Sequence, residues 1–128
     1  MLEVGMQASL IEEVTPKNTA DQIGKGGLQV FSTPALVALV EKLCLEFLGP
    51  HLGQDEATVG TKLEVAHNAA TPIGMKIKIV ATLKSIEGRK LGLEIRAFDD
   101  NEEVAVIQHE RYIVNSTKFM EKALKKRR

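Results

Sequence analysis

The longest apolar run of the chain lies between Phe31 and Leu48, and few polar residues interrupt it. A helix that is apolar almost all round is normally buried inside a larger structure. Only Glu41, Lys42 and Glu46 are charged, and the last two form an i,i+4 pair on one edge of the helix. Glu41 lies roughly 100–140° away from that edge, among apolar side chains. The pattern therefore predicts a carboxylate on the apolar side of a buried helix, where it must be paired, neutralised or used chemically.

Both ends of this helix carry sequence signals. Thr33 is predicted to cap the first turn with its hydroxyl group, and Pro34 suits the first helical position because its missing N–H is not needed there. Gly49-Pro50 is predicted to end the helix. The resulting helix of about 15 residues, with three charges, is too short and too polar to span a membrane.

Alternating apolar and polar residues predict five strands, and short turns predict that most neighbours pair antiparallel. A closing helix is predicted next, with Ser116 as its cap. One helix covers only one face of a sheet, so the other face needs either water or a partner. The predicted strands are residues 6–14, 57–68, 76–86, 90–98 and 103–115, and the closing helix is residues 116–124.

The predicted strand over residues 57–68 has an apolar and a polar face. Strict alternation directs its apolar face to the helix and places His67 at the end of that face. The predicted inner face is Val59, Thr61, Leu63, Val65 and His67, and the predicted outer face is Gly60, Lys62, Glu64 and Ala66.

Residues 15–28 show no apolar period and are rich in Thr, Asn, Asp, Gly and Lys. We interpret them as a long flexible connection or lid, because irregular loops of about a dozen residues are often functional. The sequence Gly24-Lys25-Gly26-Gly27 lacks the Gly-Lys-Ser/Thr ending of a phosphate-binding loop. A flexible segment is therefore preferred over an anion cradle.

Composition narrows the class of protein. The 128 residues, 44% of them hydrophobic, fit a single domain spanning residues 1–128. Seventeen basic residues balance seventeen acidic ones, so neither a nucleic-acid nor a membrane partner is predicted. The one cysteine, Cys44, allows no internal disulfide, and the first residues lack the features of a signal peptide. A cytoplasmic location is therefore expected.

Few residues are candidates for chemistry. The sequence has no paired cysteines and no His-Glu-x-x-His cluster, so no metal site is predicted, and it has no Gly-x-Ser-x-Gly elbow. Glu41, His67 and Thr33 remain. Each has a structural alternative. For Glu41 it is a carboxylate paired with a structural cation, for His67 a hydrogen-bonded histidine at a strand end, and for Thr33 a plain helix cap. Cys44 is interpreted as an inert packing residue, and His109 as a hydrogen-bonding residue within the sheet or at an interface.

The spacing of these three residues is specific. Glu41 follows Thr33 by eight residues, and His67 follows Glu41 by 26. The surrounding segments are FSTPALVALVE at 31–41, VGTKLEVAH at 59–67, ATPIG at 70–74 and HERYIV at 109–114. In these segments, and over nearly its whole length, the chain resembles the hot-dog-fold thioesterases, most closely the fluoroacetyl-CoA thioesterase-like group.

The resemblance implies an α+β hot-dog fold, in which a curved antiparallel sheet wraps a central helix and two copies pair edge to edge as a homodimer. It implies an acyl-CoA thioesterase acting on a short or small acyl group, with coenzyme A entering as part of the substrate and no separate cofactor. It implies a catalytic set at Thr33, Glu41 and His67, and a glycine near the acyl group at Gly60. The fluoroacetate-specific enzyme closes its pocket with aromatic lid residues, whereas residues 15–27 contain none here.

These roles imply a mechanism with several open choices. Glu41 would act as general base on water or attack as a nucleophile. His67 would position water or the carboxylate and protonate the leaving thiolate, and Thr33 would bind the acyl carbonyl or orient Glu41. Along an unbroken helix, Thr33 and Glu41 are about 12 Å apart, too far for direct contact. We therefore expect a ligand that spans them or, preferably, a site composed from two subunits.

Two other classes of function remain open. One is a dimer that binds an acyl-CoA or small ligand without catalysis, and the other is a hot-dog dehydratase or hydratase, which commonly uses a different Asp/His arrangement. Whether the chain hydrolyses an acyl-CoA or only binds it, the CoA phosphates are expected to meet surface cations. The candidates are Lys76, Lys78, Arg89 and Lys90.

Overall fold

The computed structural model describes residues 1–23 and 27–127 and contains three helices and five strands in these ranges. Two short 3-10 helices, Pro16–Asn18 and Gly49–His51, lie in the connections. The helices are α1 (Ala20–Ile23), α2 (Thr33–Leu48) and α3 (Ser116–Leu124). The strands are β1 (Gln7–Glu13), β2 (Glu56–His67), β3 (Lys76–Glu87), β4 (Lys90–Phe98) and β5 (Glu103–Asn115).

All five strands belong to one antiparallel sheet in the order β1-β3-β4-β5-β2. Helix α2 packs on one face of this sheet, and the alternating inner residues of β3, β4 and β5 meet its apolar side. This arrangement confirms the predicted α+β class with a central helix. The core residues of α2 are Leu36, Leu39, Val40, Leu43, Cys44, Phe47 and Leu48.

The two predicted helix caps are wrong by one residue. Ser32, not Thr33, caps α2, because its hydroxyl oxygen accepts from the N–H of Ala35 at 3.1 Å. Asn115, not Ser116, caps α3 by accepting from the N–H of Lys118. Where two neighbouring residues are both good caps, only the backbone conformation decides between them. Thr33 is consequently left with its side chain available for another contact.

The predicted long loop is partly structured within the described residues. Thr15 and Asn18 cap one another around the 3-10 turn, and α1 follows it. Thr19 is buried and forms an isolated bridge with Phe31, just before α2. Short polar side chains here satisfy backbone groups locally, which a pattern of hydrophobic residues does not detect. Residues 24–26 of the glycine-rich stretch lie outside the described part of the chain.

A β-bulge in β2 overturns the predicted face of part of this strand. Gly60 pairs with Arg111 and Lys62 pairs with Glu110, so Thr61 is an extra residue with no partner position. A bulge of one residue reverses the alternation on one side of it. Leu63, Val65 and His67 face the helix as predicted, but before the bulge the inner positions belong to Thr58 and Gly60 rather than to Val59 and Thr61.

Helix α2 is not covered on all sides within one chain. Pro34, Ala38 and Leu45 are exposed, and Val37 and Glu41 are half-buried between them. These five residues form one strip, because they lie within about 100° of arc on the helix. We call it the α2 strip. Among the described residues, no helix is long and apolar enough to cross a membrane.

Candidate active site

Two buried side chains of β5 hold one oxygen of the Glu41 carboxylate. Nη1 of Arg111 donates to Oε1 at 2.6 Å, and Nε2 of His109 lies 2.8 Å from the same oxygen. The Glu41 side chain is 41% exposed, whereas those of His109 and Arg111 are 1% and 3% exposed. The expected pairing of a carboxylate on the apolar side is therefore present, but its outer side opens to solvent.

Arg111 is itself fixed by β2. Its Nε donates to the hydroxyl of Thr58 and its Nη2 donates to the carbonyl oxygen of the same residue, each at 2.9 Å. A buried guanidinium needs such partners for all its donors, and Glu41 supplies the only charge-neutralising one within the described residues. The structural alternative for Glu41, pairing with a structural cation, therefore has a definite partner.

The bulge in β2 brings the backbone of Gly60 against Glu41. A Cβ atom at Gly60 would lie 3.1 Å from both carboxylate oxygens and 3.0 Å from Cε1 of His109. Any larger residue would therefore push against the carboxylate. Glu41, Gly60 and His109 line a cleft of about 270 Å³ together with Val37 and Leu63. We call Glu41, Gly60, His109 and Arg111 the Glu41 cluster.

Thr33 and His67 form a second, separate group. The hydroxyl oxygen of Thr33 and Nδ1 of His67 lie 2.8 Å apart in a hydrogen bond between the first turn of α2 and the end of β2. Burial lowers the pKa of His67 below its ordinary value, which favours a neutral ring near pH 7. Its Nε2 is buried and has no hydrogen-bond partner in the described part of the chain. This pair lines a cleft of about 260 Å³ with Ala20 and Phe31.

Within one chain the predicted site residues thus form two groups. Thr33 meets His67, Glu41 meets Gly60, and the two clefts have no lining residue in common. Helix α2 is continuous from Thr33 to Leu48, so the separation of about 12 Å along its axis applies. One copy of the chain does not bring the whole predicted set together.

Two members of the Glu41 cluster were not predicted as site residues. The predicted hydrogen bond of His109 within the sheet is present, from Nδ1 to the Lys62 carbonyl, but its contact with Glu41 was not predicted, and Arg111 had no predicted role. The usable signal was alternation, because His109 and Arg111 share one strand face with Ala105, Ile107 and Ile113. Two polar residues on a buried face need partners, and Glu41 is the acidic residue on the facing helix side.

Other candidates have ordinary environments. Burial raises the pKa of the Cys44 thiol to about 12, which fits an inert packing residue rather than a nucleophile. The residues described include no group of three or more His, Cys, Asp or Glu side chains placed to hold a metal ion. Of the proposed phosphate-binding cations, Arg89 pairs with Glu56 and Lys90 lies near Glu110, whereas Lys76 and Lys78 are exposed.

Comparison with known proteins identifies the family. The family model described as fluoroacetyl-CoA-specific thioesterase matches residues 14–117. The chain belongs to this family. A curated fluoroacetyl-CoA thioesterase of Streptantibioticus cattleyicolor is 37% identical over 98 residues, which are 77% of this chain and 70% of the relative.

Solved structures agree with this membership. A structure of the fluoroacetyl-CoA thioesterase superposes with a TM-score of 0.93 at 30% identity, covering 100% of this chain and 99% of the other. A hot-dog-like protein from Thermanaerovibrio acidaminovorans superposes with a TM-score of 0.91 at 23% identity, covering 98% and 93% of the two chains, and supports the fold alone. The predicted hot-dog fold and the predicted class, a family of thioester hydrolases, are confirmed.

Proposed function

We propose that this chain hydrolyses a short or small acyl-CoA thioester in a site composed from two subunits. Thr33 and His67 come from one copy, and Glu41 and Gly60 come from the other. The observation that carries the proposal is the separation of these residues into two groups within one chain. Membership in the fluoroacetyl-CoA-specific thioesterase family supports the reaction class.

Strand β2 offers a way to join the two groups. It lies at one end of the sheet, so one of its edges has no strand partner among the residues that the structure describes. Two copies related by a two-fold axis can pair these edges antiparallel. If the axis passes between Leu63 and Glu64, His67 lies opposite the partner subunit's Gly60. His67 and Gly60 are roughly 20 Å apart along one strand, but His67 of one copy would then lie about 5 Å from Gly60 of the other.

The chemistry follows from the free atoms of each group. Oε1 of Glu41 is held by Arg111 and His109, which leaves Oε2 for a water molecule or for direct attack on the thioester carbonyl. The unpartnered Nε2 of His67 is available to a ligand atom, and the neutral ring can take up the proton that the attacking water releases and then pass it to the leaving thiolate. Thr33, in the first turn of α2, lies where backbone N–H groups favour a developing oxyanion.

The first experiment is a panel of acyl-CoAs of increasing chain length, assayed for release of free thiol, with Glu41→Ala as the control. The proposal expects turnover of small acyl groups by the natural chain and loss of turnover in the variant. Fluoroacetyl-CoA belongs in the panel, because the relatives are named for it. Thiol release that is equal in both proteins contradicts the assigned role of Glu41.

Mixing two inactive variants tests the composite site. In a mixed dimer of Glu41→Gln and His67→Gln, one of the two sites receives natural Glu41 from one copy and natural His67 from the other. After random exchange, about one quarter of the natural activity is expected to return. A mixture of Glu41→Gln with Glu41→Ala is the matched control and is expected to stay inactive. No recovery in the first mixture would place all catalytic residues in one chain.

A non-catalytic acyl-CoA-binding dimer is the second candidate. The ion pair between Glu41 and buried Arg111 favours it, because this pair gives the carboxylate a structural role without any reaction. The acyl-CoA panel separates the two candidates when binding is measured beside turnover. Tight binding of acyl-CoA without thiol release would support the second candidate.

A further inference from the structure

The hydrogen bonds around His109 constrain its protonation. Nδ1 lies 2.9 Å from the carbonyl oxygen of Lys62. A carbonyl oxygen only accepts hydrogen bonds, so Nδ1 carries a hydrogen and donates it. In a neutral ring with hydrogen on Nδ1, Nε2 presents a lone pair. Yet Nε2 lies 2.8 Å from Oε1 of Glu41, and an ionised carboxylate oxygen is also only an acceptor.

Two acceptors at this distance repel, and one proton placed between Nε2 and Oε1 turns the contact into a hydrogen bond. It resides on the imidazole, giving an ion pair, or on the carboxyl group, giving a neutral pair, and both forms hold the same number of protons. Arg111 offers a competing donor. Its Nη1 donates to Oε1 and lies within hydrogen-bond distance of Nε2, at 3.2 Å, so a carboxylate and a neutral ring that both accept from Arg111 are the arrangement against which the shared proton is tested.

We propose that Glu41 and His109 share one proton, and that His109 is the positioning residue that holds Oε1 so that Oε2 is the reactive oxygen. The positioning role rests on the proposed function, whereas the shared proton does not. Oε1 makes both contacts to β5, and Oε2 has no hydrogen bond within the described residues.

The neighbouring titratable and charged groups are not alternative sites for the shared proton. Cys44, on the same helix, stays a neutral thiol because burial raises its pKa to about 12. Arg111 on β5 places its guanidinium charge beside the pair. From β2 the pair meets the Lys62 carbonyl, and Lys62 is one of the residues that line the cleft. Loss of the proton at high pH would set two acceptors against each other and release Glu41 from its position.

Nuclear magnetic resonance of the ring nitrogens and of the Glu41 carboxyl carbon tests the shared proton without any assay of activity. The chain has three histidines, so His109→Gln assigns the His109 signals and Glu41→Gln assigns the carboxyl signal. At pH 7 we expect either an imidazolium with a carboxylate or a neutral ring with a carboxylic acid. A neutral ring beside a carboxylate, in either tautomer, would overturn the proposal, and so would a pair holding two protons.

The pH dependence of turnover tests the positioning role. In His109→Gln the amide N–H can donate to Oε1 at every pH, so the alkaline decline of kcat that the natural chain is expected to show should disappear. His109→Phe removes the contact, and kcat is expected to fall on the order of 10²-fold with little change in KM, as for a misplaced catalytic group. His51→Gln is the matched control, because His51 is exposed in the 3-10 helix Gly49–His51 and is not a member of the cluster, and its profile should be unchanged.

Circular dichroism and melting temperature establish that each variant is folded. If His109→Phe does not fold, the pH profile of His109→Gln alone tests the positioning role. An alkaline decline that persists unchanged in His109→Gln would overturn the positioning role. If the natural chain hydrolyses no acyl-CoA at all, the proposed function fails, while the resonance measurement still decides whether the proton is shared.

Discussion

At the scale of single residues, Glu41 has both a structural and a chemical environment. Arg111 and His109 hold one oxygen in the manner of a buried ion pair, while the rest of the carboxylate faces a cleft. Breaking a fully buried pair from one side costs about 3–5 kcal/mol. Here Arg111 keeps its two bonds to Thr58, so removal of the Glu41 charge does not leave the guanidinium without partners.

Glu41→Gln therefore separates the two roles. The amide oxygen can still accept from Arg111, so the free energy of unfolding should fall by less than the cost of a broken buried pair, about 3–5 kcal/mol. Turnover of acyl-CoA should fall on the order of 10²–10⁴-fold, the usual loss for a general base. Melting temperature and thiol release are measured on the same preparation.

The matched control is Glu46→Gln, which makes the same change on an exposed position of the same helix. It should alter neither quantity. A Glu41→Gln protein that melts much earlier yet hydrolyses as fast per folded molecule would exclude the catalytic role and favour the binding dimer.

At the scale of elements, the bulge in β2 determines what faces α2. Beyond the bulge His67 points inward as alternation predicts, and before the bulge Gly60 is turned inward to meet Glu41. The absent side chain of Gly60 leaves the space that the carboxylate occupies. A bulge in an edge strand next to a candidate site is a common way to redirect residues.

Gly60→Ala tests this arrangement. The added methyl group would lie about 3 Å from both carboxylate oxygens, so Glu41 must move by some tenths of an ångström. Because a displacement of about 1 Å can cost 10²-fold in rate, we expect kcat to fall on the order of tenfold or more, with the fold retained. Gly49→Ala is the control, since a Cβ there meets nothing within 4 Å. Equal activity of both variants would show that the added methyl group at Gly60 does not displace Glu41 from its reactive position.

The sequence predicted the elements well and the local exceptions poorly. Strands β4 and β5 have their predicted bounds, since long alternation specifies a half-buried strand strongly. The bulge at Thr61 was missed, because one inserted residue leaves the composition of a strand unchanged and depends on pairing with β5. The ion pair of Glu41 with Arg111 joins residues 70 positions apart, so only the fold brings it into view.

At the scale of the whole molecule, two adjoining surfaces have no partner within the described residues of the single chain. One is the edge of β2, and the other is the α2 strip, in which Leu45 is 54% exposed. Glu41 belongs to the strip and touches the backbone of β2 at Gly60, so the two surfaces meet at the candidate site. An unpaired edge beside exposed apolar residues is typical of a protein interface.

We therefore predict a homodimer that forms through β2 and the α2 strip. Analytical ultracentrifugation at low micromolar concentration should show a dimer for the natural chain. Leu45→Lys should shift it toward monomer, because the substitution buries an unpaired charge in the interface. Turnover should fall together with dimer content, since each site needs both copies. Leu124→Lys is the control for a second exposed apolar surface, that of α3, and should leave the dimer intact. A folded and active monomer would contradict the interface and the composite site together, whereas dissociation by Leu124→Lys alone would move the interface to α3.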